Sequence, residues 1–169
     1  VSNDVTTGDD LWTMSIAEPH NPVPFVAESY AESQGQFSPD GKWIAYRSNE
    51  SGRWEIYVRP YPGPGTQHLV SRGGGIQPRW RGDGKELFYI AADSQMPGVS
   101  IQFPSPGQQL GIGAPVSLFT ARLAYPVNQQ FGYAVDPGGQ RFLMNVGVGK
   151  TPTMAPTTIV QNWSAAVTK

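Results

Sequence analysis

The chain has 169 residues, a formal charge of −1 and no cysteine, and 38% of its residues are hydrophobic and 11% aromatic. That length is one domain with room for a core, and so many aromatics exclude a disordered chain. The near-neutral charge argues against a general nucleic-acid or acidic-membrane binder, the lack of cysteine excludes disulfide and thiolate chemistry, and no run approaches the roughly eighteen apolar residues of a membrane span.

Val1 to Asp10 is polar, and its start is expected to fray. The sequence starts with Val1 rather than Met, and no charged-then-apolar leader follows; the expectation is a trimmed part of a longer protein. Asp10 to Ile16 is a strand candidate, Glu18 to Pro24 a Pro-rich turn, and Pro24 to Val26 the next strand.

From Gly35 the chain becomes repetitive. Gly35-Gln36-Phe37-Ser38-Pro39-Asp40-Gly41-Lys42-Trp43-Ile44-Ala45-Tyr46 reads strand, tight turn, strand. Pro39 presets its own φ, Asp40 can bond nearby backbone, and Gly41 takes a positive φ without steric cost. Pro78 to Tyr89 superimposes on this stretch without a gap, and Ala134 to Met144 is a third copy. Aligned on Gly41, Gly84 and Gly139, the copies place Phe37, Trp80 and Val135 four residues earlier. Ile44-Ala45-Tyr46, Leu87-Phe88-Tyr89 and Phe142-Leu143-Met144 follow three to five residues later. Asp83 and Pro137 complete the turn positions. The anchor glycines are 43 and 55 residues apart, and a period near forty built of short strands is the signature of propeller blades.

The units follow from that register. Residues 10–27 are the end of a blade. Residues 34–71 form a blade with strands Gln34–Phe37, Trp43–Ser48, Trp54–Arg59 and Gln67–Val70. Residues 77–120 form another, with strands Gln77–Trp80, Glu86–Ala91, Gly98–Phe103 and Pro115–Phe119, an irregularity at Met96-Pro97-Gly98 where proline lacks a ladder donor, and a long loop from Pro104 to Ala114. Residues 130–163 form an incomplete terminal blade with strands Gln130–Val135, Arg141–Val146 and Thr157–Trp163. The near-continuous apolar runs of the inner strands are those of a sheet covered on both faces, as in radially standing blades. The predicted fold is all-β: a partial β-propeller of four-stranded antiparallel blades.

Phe37 to Tyr46 followed by Glu55-Ile56-Tyr57-Val58 resembles the Pro-Asp-type, WD-like repeat of TolB-like propellers. Glu55 to Gly65, Gly73-Gly74-Gly75, Gln77 to Tyr89, Asp136 to Leu143 and Ile159-Val160-Gln161-Asn162-Trp163 are similar to the C-terminal propeller of acidobacterial eukaryotic-like serine/threonine kinases. The resemblance covers about Asp10 to Lys169. It implies a six-bladed ring when complete, an extracytoplasmic location, and attachment to a kinase through a membrane span. The chain itself lacks the Gly-rich nucleotide loop, the His-Arg-Asp loop and Asp-Phe-Gly, so no kinase catalysis is carried over to any residue.

No Gly-x-Ser-x-Gly elbow is present. His20 and His68 are isolated in the sequence, and Asn3, Asp4, Asp9 and Asp10 lack the order of a calcium loop; no metal and no cofactor are expected. Gly73-Gly74-Gly75 precedes Ile76-Gln77-Pro78, a strand start, rather than the Lys-Ser/Thr and helix of a phosphate loop. Asn49-Glu50-Ser51 and Asn162-Trp163-Ser164 fit the glycosylation pattern only incidentally. Arg72, Arg79, Arg81 and Lys85 cluster around one entry strand, and Arg72, Arg79 and Arg81 are candidates for holding a protein or a small anionic ligand; the alternative is that they pair with carboxylates or lie solvated. The expected function is a non-catalytic interaction or sensor module. The alternative is the propeller portion of a serine/threonine kinase or prolyl-oligopeptidase-like hydrolase whose catalytic domain lies outside the chain. Open edge strands would also allow a homodimer.

Overall fold

Two faces of each central strand are buried, and this fixes the architecture. In β5 (Trp43–Ser48), Ile44 and Tyr46 pack with Leu11, Val26 and Tyr57, whereas Ala45 between them packs with Ile56, Val58, Leu87 and Tyr89. In β9 (Glu86–Ala91), Leu87 and Tyr89 turn back to that second cluster, and Phe88 and Ile90 turn forward to Met96 and Tyr133. Alternate residues of one strand thus enter different cores. The apolar runs are the sequence trace of sheets stacked face to face.

The computed structural model describes residues 8–17, 19–63, 65–104, 109–124 and 131–146, with the backbone of 2–4. The described residues are all-β, without a helix, in several antiparallel sheets. The first holds β1 (Ser2–Asp4), β2 (Gly8–Met14) and β3 (Pro22–Val26) in that order. The second holds β4 (Glu32–Phe37), β5, β6 (Glu55–Pro60) and β7 (His68–Leu69), also in chain order. The third runs from β8 (Gly75–Trp80) through β9 to β10 (Gln95–Gln102), which pairs with both β11 (Gly111–Ile112) and β12 (Val116–Thr120). The last pairs β13 (Tyr133–Val135) with β14 (Phe142–Met144).

The repeat is visible in individual hydrogen bonds. Gly41, Gly84 and Gly139 have φ of 70°, 73° and 69°, and each donates its N–H 2.9 Å to the carbonyl three residues back, of Ser38, Arg81 and Asp136. The strands close above each turn in the same way, through Ser38 N to Trp43 O, Arg81 N to Glu86 O and Asp136 N to Arg141 O. Asp40 and Asp83 accept from the backbone N–H two residues on, at Lys42 and Lys85. In the third copy Gly138 stands at that position, and Asp136 takes over by accepting from the backbone of Gln140 and Arg141. Pro39 and Pro137 sit inside their turns, as the sequence predicts.

Differences from the sequence reading are local. Ser2–Asp4 pairs with Gly8–Asp10 where fraying was expected; a ladder needs backbone groups, and polar side chains do not prevent it. Gly111–Ile112 forms a short strand inside the expected loop, because Ile112 packs onto the apolar cluster beside Ile101. β10 begins at Gln95 and passes through Pro97 with a register shift between Met96 and Pro97, at the expected irregularity. The strand expected at Thr157–Trp163, and the Asn162 sequon, lie outside the described residues.

Candidate functional site

The three turns stand side by side at one end of the sheets. Gly82 donates its N–H to Pro137 O at 3.0 Å, and a Cβ placed on Gly84 would lie 3.6 Å from Cδ of Pro39. Beneath them an aromatic group spans the second and third sheets. Trp43 stacks on Phe103 with centroids 5.7 Å apart, Trp80 lies 6.1 Å from Phe103, and the His68 ring is 6.3 Å from Trp43. Trp80 Nε1 donates to Gln36 O at 3.1 Å, which satisfies its one donor. Trp43, Pro60, Thr66, His68, Gln109 and Leu110 line an open cleft of about 360 Å³. None of these carries a charge at neutral pH, since burial pushes the His68 imidazole below its ordinary value.

The arginine candidates separate into three different environments. Arg81 is neutralised within its own sheet: Nε and Nη2 donate to Asp83 at 2.7 and 3.0 Å, and Nη1 donates to Glu86 at 2.7 Å. That pairing holds the Asp83 carboxyl down at about 2. Arg72 is exposed in the turn before β8. Arg79 is half-buried. Its Nη1 donates to Gln36 Oε1 at 2.7 Å, and its guanidinium lies 3.7 Å above the Phe131 ring. It therefore braces the second sheet against the third and the segment leading to β13, and the three arginines have no partner in common.

The glycine turn holds an internal anion. Glu55 is buried, and its Oε1 accepts from Gly73 N at 2.8 Å and Gly74 N at 3.0 Å, while Oε2 accepts from Ser71 Oγ. The backbone N–H groups that could have cradled a phosphate are thus turned onto a carboxylate of the chain itself. His20 lies in an exposed turn with Nε2 2.8 Å from Ile16 O. Asn49 uses Oδ1 to accept from Ala31 N. Among the described residues no three His, Asp or Glu side chains group as metal ligands, and no helix is long and apolar enough to cross a membrane.

A seam that sequence reasoning missed ties consecutive sheets together. Gln34 and Gln77 both have φ of 58°. Each sits in a bulge where its strand slips against the next, between Ser33 and Gln36 and between Ile76 and Arg79. Gln34 Oε1 accepts from Gln77 N at 2.7 Å, and Gln77 Oε1 accepts from Gly132 N at 2.8 Å. The signal was present in the sequence, because Gln34, Gln77 and Gly132 occupy one position of the repeat register.

Among the described residues, one position of the last sheet stands out by its exposure. Ala45 and Phe88 are 0% and 1% exposed, but Leu143, at the same repeat position, is 78% exposed.

No protein-family model matches the chain, and no match to it was found among curated proteins.

Proposed function

We propose that the chain is a TolB-like, Pro-Asp-type β-propeller segment that works as a non-catalytic interaction module, gripping a protein or small ligand at its turn end. One observation carries this reading: the three turns stand side by side, and a cleft lined by Trp43 and His68 and without Asp, Glu, Lys or Arg opens beneath them between the second and third sheets. Rigid strands below and adjacent loops above are the arrangement from which binding surfaces are built. The charged groups nearby support it. At the turns, Arg81 is committed to Asp83 and Glu86, which favours recognition by shape and aromatic contact over acid–base chemistry. In this reading the repeats are blades, and attachment to a catalytic partner, as in the kinase resemblance, would lie outside the chain.

The test is selection of random peptides displayed on phage against the immobilised chain, with Trp43→Ala as the control. Enriched peptides that bind the wild-type protein and lose binding to a folded Trp43→Ala variant are expected. Peptides held equally by both proteins would place recognition elsewhere, and no enrichment would argue against a peptide-binding module.

A further inference from the structure

Arg79 is the half-buried candidate arginine that, among the described residues, pairs with no carboxylate. It lies on β8, in the seam with β4. Nη1 donates to Gln36 Oε1, and one face of the planar guanidinium lies against the Phe131 ring. Its Nε is buried and bonded to nothing. Burial lowers the pKa of the guanidinium, and no carboxylate is among the influences that oppose this. On the facing strand, Gln34 gives its Oε1 to Gln77 N, and its own Nε2 is likewise buried and unbonded. Two orphaned groups in one seam are both donors. An orphaned buried donor costs about 1–3 kcal/mol, and more when it belongs to a charged group, so native structures fill such places. A water would satisfy the donors and leave the charge unbalanced; a small anion does both.

We infer that the seam between β4 and β8 binds a chloride-sized monovalent anion, held by Arg79 Nε and Gln34 Nε2. The site differs from the anionic site expected from the sequence, which used Arg72 and Arg81 as well. Arg81 is already saturated by Asp83 and Glu86, and Arg72 lies exposed outside the seam. The inference is independent of the peptide-binding proposal, since Trp43 and the cleft take no part in it. The anion would be structural. It would hold two sheets in register next to the Gln34–Gln77 bond.

Chlorine-35 NMR of the 169-residue chain in chloride buffer tests it. Bound chloride broadens the line in proportion to protein, and added bromide should remove the broadening by competition. Arg79→Met should lose the excess linewidth, and Arg72→Met should keep it. Because Arg79 also braces two sheets, crystals of the wild-type protein grown in bromide supply a second measurement that does not depend on the variant folding. An anomalous peak between Gln34 and Arg79 supports the site. Wild-type protein without excess linewidth, broadening unchanged in folded Arg79→Met, or a seam free of bromide would each overturn it and leave water as the occupant.

Discussion

Gln77 closes the seam to the last described sheet by accepting the N–H of Gly132, 2.8 Å from its Oε1. The same bond, one repeat earlier, runs from Gln77 N to Gln34 Oε1. A side chain thus reads the position of the next sheet's backbone, and it does so from a bulge whose left-handed glutamine is itself unfavourable for an L-residue. That conformation aims the amide across the seam instead of along the strand.

Truncating either glutamine should therefore weaken stacking. Gln77 is fully buried, and Gln77→Ala strands the Gly132 N–H, for an expected loss of about 1–3 kcal/mol. Gln34→Ala should cost a similar amount by freeing Gln77 N. Gln34 bonds the backbone of Gln77 itself, so the two substitutions act within one network and the double variant should depart from the sum by about 0.5–3 kcal/mol. Urea unfolding of the four proteins measures this; losses that add within about 0.5 kcal/mol would show that the two seams are independent.

The turn glycines make a sharper contrast. A Cβ on Gly82 would sit 2.7 Å from Pro137 O, which is backbone and cannot step aside. Gly41 has open space around it but a φ of 70°. Gly82→Ala should separate neighbouring turns and cost about 1–3 kcal/mol by overpacking. Gly41→Ala should cost about 1 kcal/mol through backbone strain alone. Thermal melts of both variants test the size, and peptide binding should suffer only in Gly82→Ala.

Much of the fold was legible because its causes are local. The Pro-Asp-Gly turn chemistry and the apolar runs around Ile44, Leu87 and Phe142 determine strand, turn and strand whatever surrounds them. The seam was less legible. Gln34 and Gln77 read as ordinary polar residues, and only the repeat register, which places Gly132 with them, shows that they share a task. Arg79 and Arg81 are two residues apart in one segment, yet one braces a seam and the other is closed by two carboxylates. That difference depends on Gln36, Phe131 and Glu86, whose positions come from tertiary packing. Short strands such as Gly111–Ile112 escaped because two residues carry no periodicity.

Glu55 should prove a structural anion. Glu55→Ala removes the acceptor of Gly73 N, Gly74 N and Ser71 Oγ together, and about 3 kcal/mol should be lost. Glu55→Gln keeps a carbonyl oxygen for the glycine N–H groups and should lose less. Added phosphate should not rescue either variant if the turn is shaped for the side chain; rescue would show that the glycines can hold a free anion.

Glu32 gives the chain a pH-dependent stability. It is 1% exposed, and burial lifts its carboxyl from 4.5 to about 7, opposed by the hydrogen bond from Ser48 Oγ and assisted by repulsion from Asp10 and Glu28. Its folded pKa lies above its unfolded one, so between these values the folded state holds the proton that the unfolded state has released. Stability from this group is complete below about 4.5, falls as pH rises towards about 7, and stays lost above it. Glu32→Gln keeps a neutral side chain of the same shape at every pH. The stability difference between variant and wild type should therefore move in favour of the variant as pH rises from about 4.5 to about 7, then level off. Urea midpoints of both proteins across that range measure it, and parallel curves would mean that Glu32 is ionised in the folded protein throughout.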